Sequence, residues 1–197
     1  MSFEMRAFAE RLCRFRSTAG EERVAAEWVE TRLAELGFET YAWDADPELL
    51  ATHPSFPDDP DDIDVTGRRS VAGVLEIGAV DGKGDDPARD DPLTVVLNGH
   101  LDVVPAEAAS WSSDPFDPVW RSDEGGALDR ERGGDDPSGA DEDDGETLTA
   151  RGAADMKSGV AACVGAALDV REAAANGTFD PPEPGLRIVV EAVAGEE

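Results

Sequence analysis

Three short stretches hold side chains able to bind a divalent cation or move a proton. In "GHLDVVP" (99–105) His100 and Asp102 stand two apart. An extended backbone puts both on one face, where the imidazole binds a metal and the carboxylate orients the ring. In "ARGAADMKSG" (150–159) Asp155 is a carboxylate at a predicted turn, able to bridge two cations. The third is the adjacent pair Glu196–Glu197. Neighbours on a regular strand point to opposite faces, so both serve one site only if the chain turns; Gly195 permits that turn. One glutamate then binds metal and the other takes a proton.

Each stretch alone has an ordinary explanation. His100 can be a loop histidine bonded to a local acid, Asp155 a helix N-cap, and the glutamates a frayed acidic terminus. Their shared location argues otherwise, because each sits at the end of a predicted strand, where α/β sheets place their sites. Together and in this order they form the constellation of a metal-dependent hydrolase.

The elements that must position them are legible in the hydrophobic pattern. Thr18 and Glu21 have capping-box spacing, and Val24, Trp28, Leu33 and Leu36 follow at helical intervals before Gly37. "FETYAW", "SVAGVLEIGAV", "TLTARG" and "GLRIVVEAVAG" read as strands. "LTVVLNGH" (93–100) is a short apolar run of the buried-strand kind. "SGVAACVGAALDVREAAA" is a helix of small residues suited to close packing. Residues 44–68, rich in proline and aspartate, and 121–146, rich in glycine and acids, read as solvated loops. Alternating strands and helices predict an α/β layered domain, and no internal repeat is present.

Composition bounds the partners. Lys plus Arg total 17 against 45 Asp plus Glu, a net charge of −28. Such a field repels nucleic acid and anionic membranes, and the acids read as solvated loops and helix faces. An acidic surface with only two lysines, Lys83 and Lys157, resembles that of proteins from salt-loving microbes. The N-terminus lacks the apolar stretch of a signal peptide, no run approaches the length of a membrane span, and Cys13 and Cys163 are expected as free thiols. The expectation is a soluble cytoplasmic protein. "GAVDGKG" misses the spacing of a phosphate loop, and "DIDVTG" and "DEDDGE" miss that of calcium loops.

The motifs "LNGHLDVVP", "WSSDPFDPVW", "RGAADMKSG" and the closing "EE", together with the leading "FRSTAGEERVAAEWVETRLAELGF", resemble the M20 metallopeptidases and amidohydrolases. That group includes acetylornithine deacetylase, succinyl-diaminopimelate desuccinylase, carboxypeptidases and dipeptidases. The resemblance covers nearly all the chain except the acidic insertions. It implies a layered zinc-exopeptidase-like catalytic domain with a central mixed sheet flanked by helices. It also implies two divalent metal ions, zinc with cobalt or manganese left open, and hydrolysis of amide bonds in N-acyl amino acids or short peptides. By position, His100 binds one metal, Asp155 bridges both and Glu197 binds the second. Glu196 is the general base, Asp102 holds His100, and a cis peptide falls at Asp155–Met156.

The same resemblance sets expectations about what is missing. Residues 1–197 correspond to the N-terminal part of the catalytic domain. The rest of that domain, the lid or dimerisation domain, and two further ligands lie outside it. Each metal is one protein ligand short of the usual three; His53, in a proline-rich loop, is not promoted to ligand. The isolated chain is expected to be inactive, or to be a relic or half-enzyme that assembles with a separate C-terminal chain. A generic acidic cation binder, indifferent to His100 and Asp155, is the third reading. The acidic insertion 121–146 lengthens the separation of His100 from Asp155, and the sheet is expected to show an open apolar edge.

Overall fold

The computed structural model describes residues 3–78, 91–122 and 146–195. Two helices open the chain, α1 (Met5–Cys13) and α2 (Arg23–Glu35), followed by β1 (Glu39–Asp44), a single turn α3 (Pro47–Leu50) and β2 (Arg69–Ile77). β3 (Leu93–His100), the short strands β4 (Val119–Ser122) and β5 (Glu146–Thr149), the long helix α4 (Ser158–Ala175) and β6 (Leu186–Val193) complete the order.

Four strands form the central sheet in the order β1-β2-β6-β3. β1 and β6 each pair antiparallel with β2, and β3 runs parallel to β6 in the register Leu93↔Leu186 to His100↔Val193. This is the expected mixed sheet with helices packed against it. β6 alternates buried and half-buried residues along its whole length, as a strand with one covered face should. Leu186, Ile188, Val190 and Ala192 meet Val71, Leu75 and Ile77 of β2 in the core, together with Leu33 of α2 and Val160 and Val164 of α4.

Three sequence expectations need correction. Val24 is 62% exposed, and the buried stripe of α2 runs instead through Ala25, Ala26, Val29 and Leu33. The helix starts only at Arg23, past the Thr18–Glu21 pair. Those two residues do bond each other, Thr18 Oγ1 to Glu21 Oε2 at 2.7 Å, but in the turn before the helix.

The loop 44–68 is also more regular than its composition suggested. Asp46 caps α3 by accepting from the N–H groups of Glu48 and Leu49, and Asp59 likewise caps a single helical turn at Pro60–Asp62. Both aspartates precede a proline, the order that starts a turn.

The third correction concerns β3, which read as buried. Leu93, Val95 and Val96 are 57%, 38% and 54% exposed, and only the end at Gly99 and His100 is buried. β3 lies at the edge of the sheet with β6 on one side only. Among the described residues this leaves an exposed apolar edge. The insertion 121–146 falls mostly outside the described residues. On either side of it β4 and β5 form an antiparallel pair with Ser122 opposite Glu146. Cys13 and Cys163 are free thiols, and no helix among the described residues is long and apolar enough to cross a membrane.

Candidate metal centre

β3 delivers His100 at the sheet edge, and the backbone beyond it is tied down on both sides. Leu101 N–H donates to Val193 O at 2.8 Å, continuing the pairing with β6, and Val103 N–H donates to Ser17 O at 3.0 Å. The buried Ser17 hydroxyl donates to Leu101 O at 2.7 Å. These bonds fix the intervening Asp102, which is fully buried.

Asp155 comes from the start of α4. A wide helical turn covers Ala153–Lys157 and runs into α4, yet within it Asp155 and Met156 have non-helical backbone angles (φ −125°, ψ 96° and φ −131°, ψ 39°). The regular helix therefore begins at Ser158, and no side chain caps it. Asp155 is not an N-cap. Its carboxylate, 75% exposed, is turned out of the helix toward His100. The Asp155–Met156 peptide is cis, as the resemblance implied.

Close packing sets the distance between the two segments. A Cβ added to Gly99 would lie 2.9 Å from Val160 Cγ2 and 3.0 Å from Met156 Cε. Only glycine lets the residue before His100 approach the residue after Asp155 this closely.

The result is a short donor row. His100 Nε2 lies 3.1 Å from Asp155 Oδ1, and His100 Nδ1 lies 3.0 Å from the backbone oxygen of Asp102. A carbonyl can only accept, so Nδ1 carries a proton, and in the neutral ring Nε2 would then present a lone pair to the carboxylate oxygen. Two acceptors at that distance need a cation or a second proton between them. The Asp102 carboxylate lies 3.5 Å from Nδ1; the ring is thus held by the carbonyl of Asp102, with its carboxylate just behind.

Behind that carboxylate is Lys157, fully buried, its Nζ donating to Phe15 O at 2.8 Å. Burial pushes the amine down from 10.5 to about 8, while Cys13 and Asp102 pull it back up. The sequence reading missed Lys157 as part of the site. The signal was present: a lysine inside the Asp155 motif, in a chain with only two lysines.

Gly195 has φ +88°, so the chain does turn as it leaves β6, in a conformation that favours glycine. Glu196 and Glu197 lie outside the described residues. Among the described residues, no group of three or more His, Cys, Asp or Glu side chains could hold a metal ion; His100 and Asp155 are a pair. His53 is exposed in the loop after α3, where its Nδ1 accepts from Ser55 N–H at 3.3 Å.

No family model matches the sequence. The chain is 29% identical over 171 residues to N-formyl-4-amino-5-aminomethyl-2-methylpyrimidine deformylase of Bacillus subtilis, covering 86% of this chain and 26% of that protein. It is 40% identical over 102 residues to succinyl-diaminopimelate desuccinylase of Ruegeria pomeroyi, covering 51% of this chain and 18% of that one.

Among solved structures, human carnosine dipeptidase 1 superimposes with a TM-score of 0.53 at 19% identity, over 95% of this chain and 31% of that one. The di-peptidase Dug1p of Saccharomyces cerevisiae gives the same score at 17% identity, over 96% and 31%. These two establish the fold. The matches span about a quarter or less of the curated relatives, which are named as a deformylase and a desuccinylase.

Proposed function

We propose that this chain carries part of the catalytic unit of a metal-dependent hydrolase acting on amide bonds in N-acyl amino acids or short peptides. The carrying observation is the approach of His100 Nε2 to Asp155 Oδ1 at 3.1 Å. Imidazole nitrogen and carboxylate oxygen are the donor types that zinc takes in catalytic sites, and the remaining imidazole nitrogen is already committed to a carbonyl, as metal-bound histidines usually are.

In this reading His100 and Asp155 would hold a divalent ion, with Asp155 and Glu197 offering donors to a second. Bound there, such ions supply Lewis-acid polarisation of the scissile carbonyl. Asp102 keeps the imidazole in the tautomer that leaves Nε2 free to donate its lone pair. Glu196 takes and returns the proton that the leaving amine needs. The turn at Gly195 supports these roles because it redirects the chain immediately before the two glutamates.

The described donors are two, one short of the three that a catalytic zinc usually has, so the isolated chain is expected to hydrolyse little. A panel of N-succinyl, N-acetyl and N-formyl amino acids and dipeptides, assayed with added zinc, cobalt or manganese, tests this. Metal-dependent turnover by 1–197 alone would overturn the expectation of an incomplete site.

A second reading, a half-enzyme completed by a separate chain, is favoured by the exposed Leu93, Val95 and Val96 along β3. Its signature is activity that appears only on mixing with a partner supplying a further acid and a histidine. The acidic, lysine-poor composition fits a protein that works in high salt.

A further inference from the structure

Glu22, just before α2, is fully buried, and neither carboxylate oxygen has a hydrogen-bond partner of normal geometry among the described residues. A buried carboxylate left this way is costly unless a cation compensates it. The nearest is Arg68, half-buried, whose Nη1 lies 4.0 Å from Glu22 Oε1. Burial pushes the Glu22 carboxyl up. Its own backbone N–H, the Arg68 guanidinium and the Gly20 N–H pull it down, while Asp102 adds to the rise.

The same nitrogen of that guanidinium, Nη1, also meets the end of β6. A Cβ on Gly195 would fall 2.5 Å from Arg68 Nη1, so the guanidinium lies directly against the glycine backbone. The preceding residue is also held from β2, since Ala194 N–H donates to Ser70 Oγ at 3.1 Å. Three segments distant in sequence therefore converge on one turn. That turn follows Val193, whose carbonyl receives Leu101 N–H beside His100.

We propose that Glu22 and Arg68 are positioning residues of the metal site: Glu22 holds the Arg68 guanidinium against Gly195, and Arg68 thereby fixes the direction in which the chain leaves β6. The proposal rests on the metal-site reading above for its purpose, and on the contacts at Gly195 for its geometry. An ordinary structural ion pair would satisfy Glu22 without lying on the glycine. Here the cation sits 4.0 Å from the acid and fills the space of the missing side chain.

The test uses the purified chain with Glu22→Gln, Arg68→Ala and Arg68→Lys, beside Leu33→Ala as a core variant remote from the turn. Amide exchange along β6 and zinc affinity are measured on folded protein in high salt. Exchange at Ala194 and Gly195 is expected to rise at least tenfold in Glu22→Gln and Arg68→Ala, with Ile188 and Val190 still protected. Zinc affinity should fall at least tenfold in both, and Arg68→Lys should restore part of it. Leu33→Ala should loosen β6 as a whole without changing zinc affinity.

Unchanged exchange at Ala194 and Gly195, or a rise only in step with the rest of β6, would overturn the proposal. So would a loosened turn with wild-type zinc affinity. If wild-type protein binds zinc no better than His100→Ala, the metal-site reading falls, while the exchange result still decides whether the pair holds the turn. Glu22→Gln, nearly isosteric, gives the decision if Arg68→Ala fails to fold.

Discussion

The two ends of β3 behave as if they belonged to different proteins. At its C-terminal end Gly99, His100, Leu101 and Asp102 are buried, bonded on both sides, and packed against the start of α4. At its N-terminal end Leu93, Val95 and Val96 are 57%, 38% and 54% exposed. The face of the sheet away from α2 and α4 likewise leaves Tyr41 and Trp43 of β1 about half exposed, at 51% and 42%. The fold thus finishes the scaffold of the site and leaves the far part of the same strand uncovered. β6 pairs with both halves; the packing of α4 and the bonds to Ser17, not residue type, decide which half is which.

Substitutions along and beside β3 should rank accordingly. Leu101→Ala, at a position with 0% exposure between His100 and Asp102, is expected to destabilise by about 2–5 kcal/mol in urea denaturation, the range for emptying a core site. A fall below ~1 kcal/mol would mean that the finished end is less well packed than its contacts indicate.

Gly99→Ala should lower stability by about 1–3 kcal/mol, as expected of overpacking. It should also weaken zinc binding, since its Cβ can be accommodated only by moving Val160 or Met156. Calorimetry on the folded variant separates the two effects. Wild-type zinc affinity in Gly99→Ala would show that this packing does not set the donor distance.

The pH response is smaller. Lys157 has a folded pKa near 8, below its ordinary 10.5. Above pH 8 the unfolded chain therefore binds more protons than the folded one, and stability rises with pH. The expected gain is about 1 kcal/mol between pH 8 and 9. Beyond pH 9 the buried Cys13, whose thiol is pushed up by burial, acts in the opposite sense. Lys157→Met should flatten the rise. A slope that survives in Lys157→Met would assign it to another group.

The least effect belongs to the open end. Val96→Thr is expected to change stability by no more than about 0.5 kcal/mol, as at an ordinary surface position. A loss near ~2 kcal/mol would show that Val96 is covered in solution, which would favour the half-enzyme reading.

How much of this was legible in the sequence differs between the same two regions. His100 and Asp155, 55 residues apart in the chain, stand out by motif and strand-end position, and the structure brings them to 3.1 Å. Local chemistry carries that inference. The exposure of β3 is not readable from "LTVVLNGH" itself, because an apolar run looks the same whether or not a neighbour covers it; only the family resemblance suggests an open edge. Val24 falls on the wrong face because the buried stripe of α2 runs through Ala25 and Ala26, whose small side chains give a weaker hydrophobic signal than a valine. Lys157, Glu22 and Arg68 escape notice for a related reason. A charged residue reads as surface in a sequence, and only tertiary contacts reveal the buried ones.

The most direct test of the metal centre uses the fact that the chain has two histidines, His53 and His100. The imidazole nitrogen resonances of labelled protein would be followed during zinc titration in high salt, which screens loose attraction to the acidic surface. The account predicts a saturable shift of His100 Nε2, little change at His53, and loss of the response in Asp155→Asn. Equal, non-saturating shifts at both histidines, or a His100 response untouched by Asp155→Asn, would contradict it.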